Sequence, residues 1–374
     1  MDFSIPSEEL AKGLYRAQGI VEKKAGMPIL SNVLFCAHPD QRITISATDL
    51  EISMIGEHKA EVIKEGRATV SAKHLYEIVR YMPKGQVRIR KLENNWAEVK
   101  SGKIEYKILG MSPEDFQSIP DVGSAKLYDF ERGGLKTMIA KTLYSVSNDE
   151  TRYVLNGAYL ESVGGDKLRM VATDGHRLSM KDVPVKDSEL TRLFVKGVII
   201  PKKGLLEMQR LLDTDGDKCQ IGLDKSSFIF HMESLTIVMR LLEGTFPEYN
   251  HVIPKDLKTK ITMDRKAFFE SLRRVSILAQ DRTDRTLSIK LNLSKDTMQI
   301  TTNNPDLGEA REDMDIEYGG KGFSVGFNAR YLMDALSAVD TEKVEFSIED
   351  DLSPGMIKPL GDDSYTCVVM PMRI

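Results

Sequence analysis

The chain has 374 residues, 41% hydrophobic and 29% charged, which is enough for two or three domains with cores of their own. Its 52 Lys and Arg stand against 56 Asp and Glu, a formal net charge of −4 that by itself disfavours a nucleic-acid partner, since such proteins ordinarily carry a basic excess. No basic segment precedes an apolar stretch at Met1-Asp2-Phe3-Ser4, and no window approaches the roughly 20 apolar residues that cross a bilayer, so a cytoplasmic protein without membrane contact is expected.

Taken in chain order, a short strand at Asp2-Phe3-Ser4-Ile5 leads into an amphipathic helix over 7–24. Ser7 is its expected N-cap. Leu10, Leu14, Ala17 and Val21 make one apolar stripe, with Lys12, Arg16 and Lys23 on the other side. A β-branched strand, Ile45-Ser46-Ala47-Thr48, runs into an Asp turn. Ala68-Thr69-Val70 precedes a second helix over 71–84, and Lys103 to Ile108 alternates as a strand. The same order then returns. Lys126 to Phe130 precedes a helix over 131–148, Val171-Ala172-Thr173 enters the turn Asp174-Gly175-His176, Val198-Ile199-Ile200 precedes a helix over 201–213, and Phe228 to Met232 alternates. It returns once more with Lys260 to Met263, an N-cap at Asp264 and a helix over 264–282 whose stripe is Phe268, Leu272, Val275 and Ala279, with Lys266 and Arg273 elsewhere. Ile300 to Pro305 and Phe323-Ser324-Val325 follow, and a last helix covers 328–340.

The second helices of the three copies start about 130 residues apart. The class is therefore α+β: three tandem repeats of a unit with two helices on one face of an antiparallel sheet. Boundaries are expected near Pro120 to Ser124 and Pro254 to Lys258, giving domains 1–122, 123–255 and 256–374. Cys36, Cys219 and Cys367 stand far apart without a CxxC or Cys/His cluster, so buried reduced thiols are expected, with neither disulfide, metal site nor cofactor.

Charge is distributed unevenly over these elements. The six helix windows hold 19 Lys and Arg against 12 Asp and Glu, which leaves the rest of the chain strongly acidic. A solvated helix face accounts for such charge on any single helix. Six cationic faces lining one concave surface would instead form a phosphate-attracting groove inside an acidic body, which answers the net-charge objection.

Five local sequences are more specific: Met27 to Leu34, Arg152 to Gly157, Val171 to Leu178, Phe246-Pro247-Glu248-Tyr249, and Val368-Val369-Met370-Pro371-Met372-Arg373-Ile374. In these, along essentially its full length, the chain resembles the bacterial DNA polymerase III β subunit, the sliding clamp family. The resemblance implies the DNA clamp fold, with two chains closing head to tail into a homodimeric ring around double-stranded DNA and helices lining the channel. It implies a processivity factor rather than an enzyme, with the polymerase III catalytic subunit, the clamp loader and other replication and repair proteins as partners. Residue by residue, it implies DNA contacts at Lys24, Arg152, Tyr153, Lys202 and Lys203, and a dimer contact at Tyr106, Ile277 and Leu278, for which internal core packing is the competing reading. It further implies a partner-peptide pocket. That pocket draws on Leu155; on Thr173, Gly175, His176, Arg177 and Leu178; on Pro247, His251 and Val252; on Tyr331; and on Val368, Met370, Pro371, Met372 and Arg373. Leu, Val and Met suit a cleft that must accept several partners.

The chain also departs from the family pattern. Lys24 replaces Arg, keeping the charge but not the bidentate geometry. Asp149 and Val154 replace an amide and an aromatic, which puts a single-strand template contact in doubt, and His251 replaces Arg at the pocket rim.

Two other classes compete. A hydrolase would use Asp174 and His176 as a general-base pair, but no nucleophile, GxSxG, HExxH or phosphate loop accompanies them. Asp213, Asp215 and Asp217 open like an EF-hand, yet Lys218 stands at the obligatory Gly and Asp224 at the final Glu. A peptide-binding scaffold without DNA encirclement keeps the repeat and the pocket.

Overall fold

The computed structural model describes all residues except 22–25, 121–122, 124, 165, 214–217, 255–258, 280–285 and 374. The first repeat contains β1 (Asp2–Pro6), α1 (Ser7–Ala17), β2 (Asn32–His38), β3 (Arg42–Thr48), β4 (Ile52–Lys59), β5 (Glu61–Lys64), β6 (Gly66–Ser71), α2 (Ala72–Val79), β7 (Gln86–Lys91), β8 (Trp96–Ser101) and β9 (Ile104–Leu109). The second contains β10 (Tyr128–Glu131), α3 (Arg132–Thr142), β11 (Gly157–Ser162), β12 (Lys167–Thr173), β13 (Arg177–Pro184), α4 (Ser188–Leu193), β14 (Val198–Pro201), α5 (Lys202–Leu212), β15 (Lys218–Asp224), β16 (Ser227–Met232) and β17 (Leu235–Arg240). The third contains β18 (Lys260–Asp264), α6 (Arg265–Val275), β19 (Ser288–Ser294), β20 (Thr297–Asn304), β21 (Gly308–Asp315), β22 (Phe323–Asn328), α7 (Ala329–Ser337), β23 (Lys343–Ser347), β24 (Gly355–Pro359) and β25 (Tyr365–Val369). The α+β class and the threefold repeat hold.

Every strand pairing is antiparallel, and the sheets are shared between repeats. One eight-stranded sheet runs β10-β15-β16-β17-β4-β3-β2-β6 and the other β14-β11-β12-β13-β25-β24-β23-β18. Each joins the last strand of one repeat to the preceding repeat, by Val238 opposite Ser53 in the first and Val368 opposite Leu178 in the second. Two further sheets, β5-β1-β7-β8-β9 and β21-β20-β19-β22, end on β9 and β21. The chain consequently divides into compact units that cut across the repeats, one of Met1–Arg132 with Leu206–Leu241 and one of Gly133–Leu205 with Leu242–Ile374.

In the first unit the expected stripe is the buried face of α1: Leu10, Leu14 and Ala17 are inaccessible and Val21 nearly so. In the second, Phe268, Leu272, Val275 and Ala279 join Phe327 and Phe346 in one core, while Lys266 and Arg273 are exposed. Asp264 caps α6 by accepting from the Ala267 N–H at 2.6 Å, as its sequence position predicts.

Several expectations are corrected. Ser7 is not the cap of α1. Pro6 holds that position, and the Ser7 hydroxyl donates to the Pro83 carbonyl at 3.3 Å. The helices stop earlier than their windows, because periodicity carries on into single 3-10 turns at Leu143–Ser145 and Ser276–Leu278. The second repeat has a third helix, α4, capped by Asp187 and too short to show a period. Arg16 does not share the solvated face with Lys12; it is 5% exposed, with Nη2 3.3 Å from Glu233. Lys141 is similarly buried against Asp340 at 2.7 Å. Part of the counted helix charge is thus neutralised inside the fold. Cys219 and Cys367 are buried, each thiol pushed up to about 12 by desolvation, but Cys36 is only half-buried beside Ile29 and Phe116. Lys23, Lys24, Asp215, Asp217 and most of both boundary segments lie outside the described residues.

His58 on β4 is buried against Gly13 of α1, where a Cβ would stand 2.7 Å from the imidazole Nε2. That Nε2 has no hydrogen-bond partner among the described residues, and Nδ1 lies 3.6 Å from Glu9. Burial holds its pKa below the ordinary value despite Glu9. The unfolded chain therefore takes up a proton near pH 6.5 that the fold resists, and stability declines as pH falls below about 6.5. Urea unfolding of the first unit at pH 7.5 and 5.5 is expected to show this loss, with a smaller one in His58→Gln; equal losses would contradict it.

Candidate functional site

The site grows from the turn between β12 and β13. The Thr173 hydroxyl donates to the Arg177 carbonyl at 2.6 Å and accepts from the Gly175 N–H at 3.1 Å. Asp174 Oδ1 accepts from the N–H groups of His176 and Arg177 at 3.0 Å each. Gly175 has φ +87°, and a Cβ there would stand 2.7 Å from Arg152 Nη1, so both backbone and space call for glycine. The turn presents His176, whose carbonyl accepts from the Met370 N–H at 2.9 Å. Met372 N–H donates to the Gly326 carbonyl at 2.8 Å, so the C-terminal segment is fixed at two points.

Beneath the turn lies an apolar floor. Leu155, Leu178 and Val368 are buried in one cluster with Val171, Ile199, Phe246 and Tyr249, and Val252 packs against it. Phe246 stacks on Tyr159 with centroids 5.0 Å apart. The Tyr249 hydroxyl donates to Glu161 and receives a hydrogen bond from Arg169, itself held by Asp182 at 2.6 and 2.8 Å. Burial pushes the Tyr249 phenol up to about 12. These contacts hold the segment that carries exposed Pro247 and His251 and half-buried Val252. His251, Val252 and Met370 line an open cleft of about 380 Å³ with Pro254, Glu349, Ser353 and Pro354. Pro371 and Met372 are half-buried and Arg373 is exposed.

Arg177 ties the turn to its surroundings. Its Nε donates to Asp174 at 3.1 Å, one Nη to Asp334 of α7, and the other to the Tyr144 carbonyl at 2.6 Å. The guanidinium carbon sits 4.6 Å from the Tyr331 ring centroid, and the His176 ring stacks on Tyr331 at 6.2 Å. Burial alone would lower the Arg177 pKa, but Asp334 and Asp174 outweigh it and the pKa is raised. Arg177 therefore stays charged and ties the turn to α7 and to the Tyr144 carbonyl. Asp174 spends one oxygen on backbone N–H groups and the other on Arg177, so it does not orient His176 as a general base would need. Among the described residues no group of His, Cys, Asp and Glu is arranged to hold a metal.

The remaining predicted residues fall elsewhere. Arg152 and Tyr153 are exposed; Arg152 Nη1 donates to the Asp174 carbonyl at 3.0 Å and Nε lies 3.5 Å from Asp149. Lys202, at the start of α5, donates to Asn148 at 2.6 Å, and burial and Arg177 lower its pKa. Lys203 follows it, half-buried. Asp149 accepts from the Thr151 N–H and hydroxyl at 3.0 and 2.6 Å, and Val154 packs on the apolar floor. Tyr106 on β9 is 45% exposed and Ile277 is 71% exposed, so neither is a core residue, while Leu278 is half-buried. Phe246, Tyr249, Met356 and Asp334 were not assigned roles from sequence. Phe246-Pro247-Glu248-Tyr249 was the signal available for the first two, whereas Asp334 reveals itself only through its ion pair.

Models of the DNA polymerase III beta subunit match nearly all of the chain: its N-terminal domain over residues 1–120, its central domain over 130–248 and its C-terminal domain over 250–373. The chain is 32% identical to the beta sliding clamp of Caulobacter vibrioides over the full length of both. It is similar to the crystal structure of the DNA polymerase sliding clamp from Caulobacter crescentus, with TM-score 0.93 and 31% identity over all of both chains. It is also similar to a sliding clamp from Pseudomonas aeruginosa bound to griselimycin, with TM-score 0.91 and 32% identity, again over all of both chains.

Arg177→Lys keeps the charge but cannot reach Asp174, Asp334 and the Tyr144 carbonyl together. A loss of about 1–3 kcal/mol in unfolding free energy is expected from urea titration, and unchanged stability would contradict the clamping role.

Proposed function

The chain belongs to the DNA polymerase III beta subunit family, the sliding clamps, and on that premise we propose how its own residues carry out the work of a clamp. It is a DNA sliding clamp and a non-catalytic processivity factor of DNA replication.

The observation that carries the reading is a pair of unfinished half-sheets. By the repeat, β9 corresponds to β17 and β25, and β21 to β4 and β13. Strand β17 pairs with β4, and β25 with β13. Among the described residues, the pairing of this kind left open is β9 with β21. Strand β9 leaves Ile104, Tyr106 and Leu109 at 36, 45 and 60% exposure along an edge, a liability unless another strand covers it. Lys103 and Lys107 on the β9 hairpin oppose in sign Glu309, Asp313 and Asp315 of β21. Ile277 and Leu278 follow α6 in a turn that packs beside β21, placing apolar surface where Tyr106 of a second chain would arrive. Two such head-to-tail contacts close a homodimeric ring of six clamp domains, 1–122, 123–255 and 256–374 in each chain.

Duplex DNA passes through that ring. Lys24, Arg152, Tyr153, Lys202 and Lys203 make weak phosphate contacts, screened over a Debye length of about 8 Å, so that the ring slides. Asp149 accepts from Thr151 within its turn and Val154 packs on the apolar floor, which supports a weakened single-strand template contact at these two positions. The floor of Leu155, Leu178, Val252 and Val368, bounded by the turn 173–177, Tyr331, Pro247, His251 and the tail 370–373, receives short apolar docking peptides of the polymerase catalytic subunit, the clamp loader and repair proteins. A polymerase that lets go of its template stays tethered at high effective concentration, which is the source of processivity. The protein works in the cytoplasm.

Clamp loaded on nicked circular DNA is expected to stay bound until the circle is linearised. Equal retention on both forms, or on neither, would sink encirclement. Removing residues 370–374 is expected to abolish binding of the polymerase docking peptide while leaving the dimer intact; unchanged affinity would remove the pocket.

A further inference from the structure

We propose that Tyr15, Tyr76, Arg80 and Tyr81 form a stacking platform for the bases of single-stranded DNA, with residues other than those of the duplex contact. The inference rests on the reading of the chain as a DNA clamp.

All the residues concerned belong to the first compact unit. Tyr76 and Arg80 stand four residues apart at the end of α2, Arg80 as its C-cap, and therefore share one helix face; Tyr81 follows directly. Tyr15 of α1 reaches the same place, with its ring centroid 6.0 Å from that of Tyr76. The Arg80 guanidinium carbon lies 5.8 Å from the Tyr76 centroid and 5.0 Å from that of Tyr81. At the other end, Arg210 of α5 lies 4.8 Å from the Tyr15 centroid. Its Nη groups donate to the Tyr15 and Arg16 carbonyls at 3.0 and 2.8 Å and to Glu207 at 2.7 Å, which fixes the plane against which Tyr15 rests. Three rings and two guanidinium groups thus follow one another in an unbroken row.

The row is not core. Tyr81 is 79% exposed and Tyr15 51%, and Arg80 is exposed between them. A guanidinium covers one face of each of these two rings, which leaves the opposite face and the edge to solvent.

The chemistry of the occupant follows from the pairing of charges. Arg210 is matched by Glu207, but among the described residues Arg80 meets two rings and no carboxylate. From Lys73 to Lys84 the chain carries Lys73, Arg80 and Lys84 against Glu77 alone, and Glu8 pairs with Lys84 at 2.6 Å. The surface is therefore cationic and aromatic together. Single-stranded nucleic acid satisfies both properties, because its phosphates answer the charge and every base has a π-face free to stack on a ring or a guanidinium plane. In a duplex those faces are covered by neighbouring base pairs, so a duplex offers this row its phosphates only. An acidic peptide would likewise meet Arg80 and leave the tyrosine faces bare. DNA is the strand at hand, since the protein is a clamp of DNA replication.

The test compares three labelled probes by fluorescence anisotropy at one fixed salt concentration: an oligo-dT of about 12 nucleotides, an abasic strand of the same length and charge, and a duplex of the same length. Oligo-dT is expected to bind roughly tenfold tighter than the abasic strand, which keeps the phosphates and lacks the bases. Tyr81→Ala should remove most of that preference without changing duplex binding, and Tyr81→Trp should keep it. Equal binding of oligo-dT and the abasic strand, or a preference that survives both Tyr81→Ala and Tyr15→Ala, overturns the platform. Retention on nicked circular DNA is expected to be the same in Tyr81→Ala and the wild type. Failure of the wild type to be retained would count against encirclement, whereas the oligonucleotide comparison counts against the platform alone.

Discussion

The structure depends on one interaction, the antiparallel pairing of a repeat's last strand with the preceding repeat. It occurs within the chain at Ile52 to Gly56 against Leu235 to Met239, and at Arg177 to Lys181 against Tyr365 to Val369. Because backbone hydrogen bonds set this contact, it tolerates wide divergence of side chains. It also has an arithmetic consequence. A chain of three repeats makes two such pairings and leaves β9 and β21 at the ends of their sheets, the edges that the proposed dimer contact would join.

The two junctions share a backbone turn and differ in the side chains around it. At the first junction Thr48, Asp49, Leu50 and Ile52 repeat the turn of Thr173, Asp174, Gly175 and Arg177: Thr48 donates to the Ile52 carbonyl at 3.2 Å, and the Arg240 N–H donates to the Glu51 carbonyl at 2.8 Å. Even the left-handed residue is shared, Leu50 at φ +80° against Gly175 at +87°. Side chains make the difference. Ile52 cannot make the three hydrogen bonds of Arg177, and Ser53 stands where Leu178 supplies the floor. Leu50 carries φ > 0 at a steric cost that Gly175 avoids, while Gly175 leaves room for Arg152. The two junctions thus share a backbone frame and differ in a handful of side chains.

Much of this could be read in the sequence because local order is repeated three times. The stripe of Phe268, Leu272, Val275 and Ala279 and the cap at Asp264 are local patterns, and the structure keeps them. What could not be read depends on partners distant in sequence. Arg16 looks solvated on a helical wheel but meets Glu233 more than 200 residues away, and Ser7 looks like a cap until Pro83 takes its hydroxyl. Helix ends were overrun because apolar spacing continues through a 3-10 turn, as at Ser276–Leu278. In the candidate site, residues on one strand or turn stand together in the sequence, from Thr173 to Leu178 and from Val368 to Met372. Asp334, which holds Arg177 from α7, carries no local mark at all.

The claim on which the account turns is that this chain is half of a closed ring sealed by β9 and β21. Sedimentation equilibrium at micromolar concentration tests it most directly. A mass twice that of the 42.1 kDa chain is predicted, falling to the mass of one chain in Ile277→Asp and in Tyr106→Asp. A single-chain mass for the wild type, or a dimer indifferent to both substitutions, would contradict it.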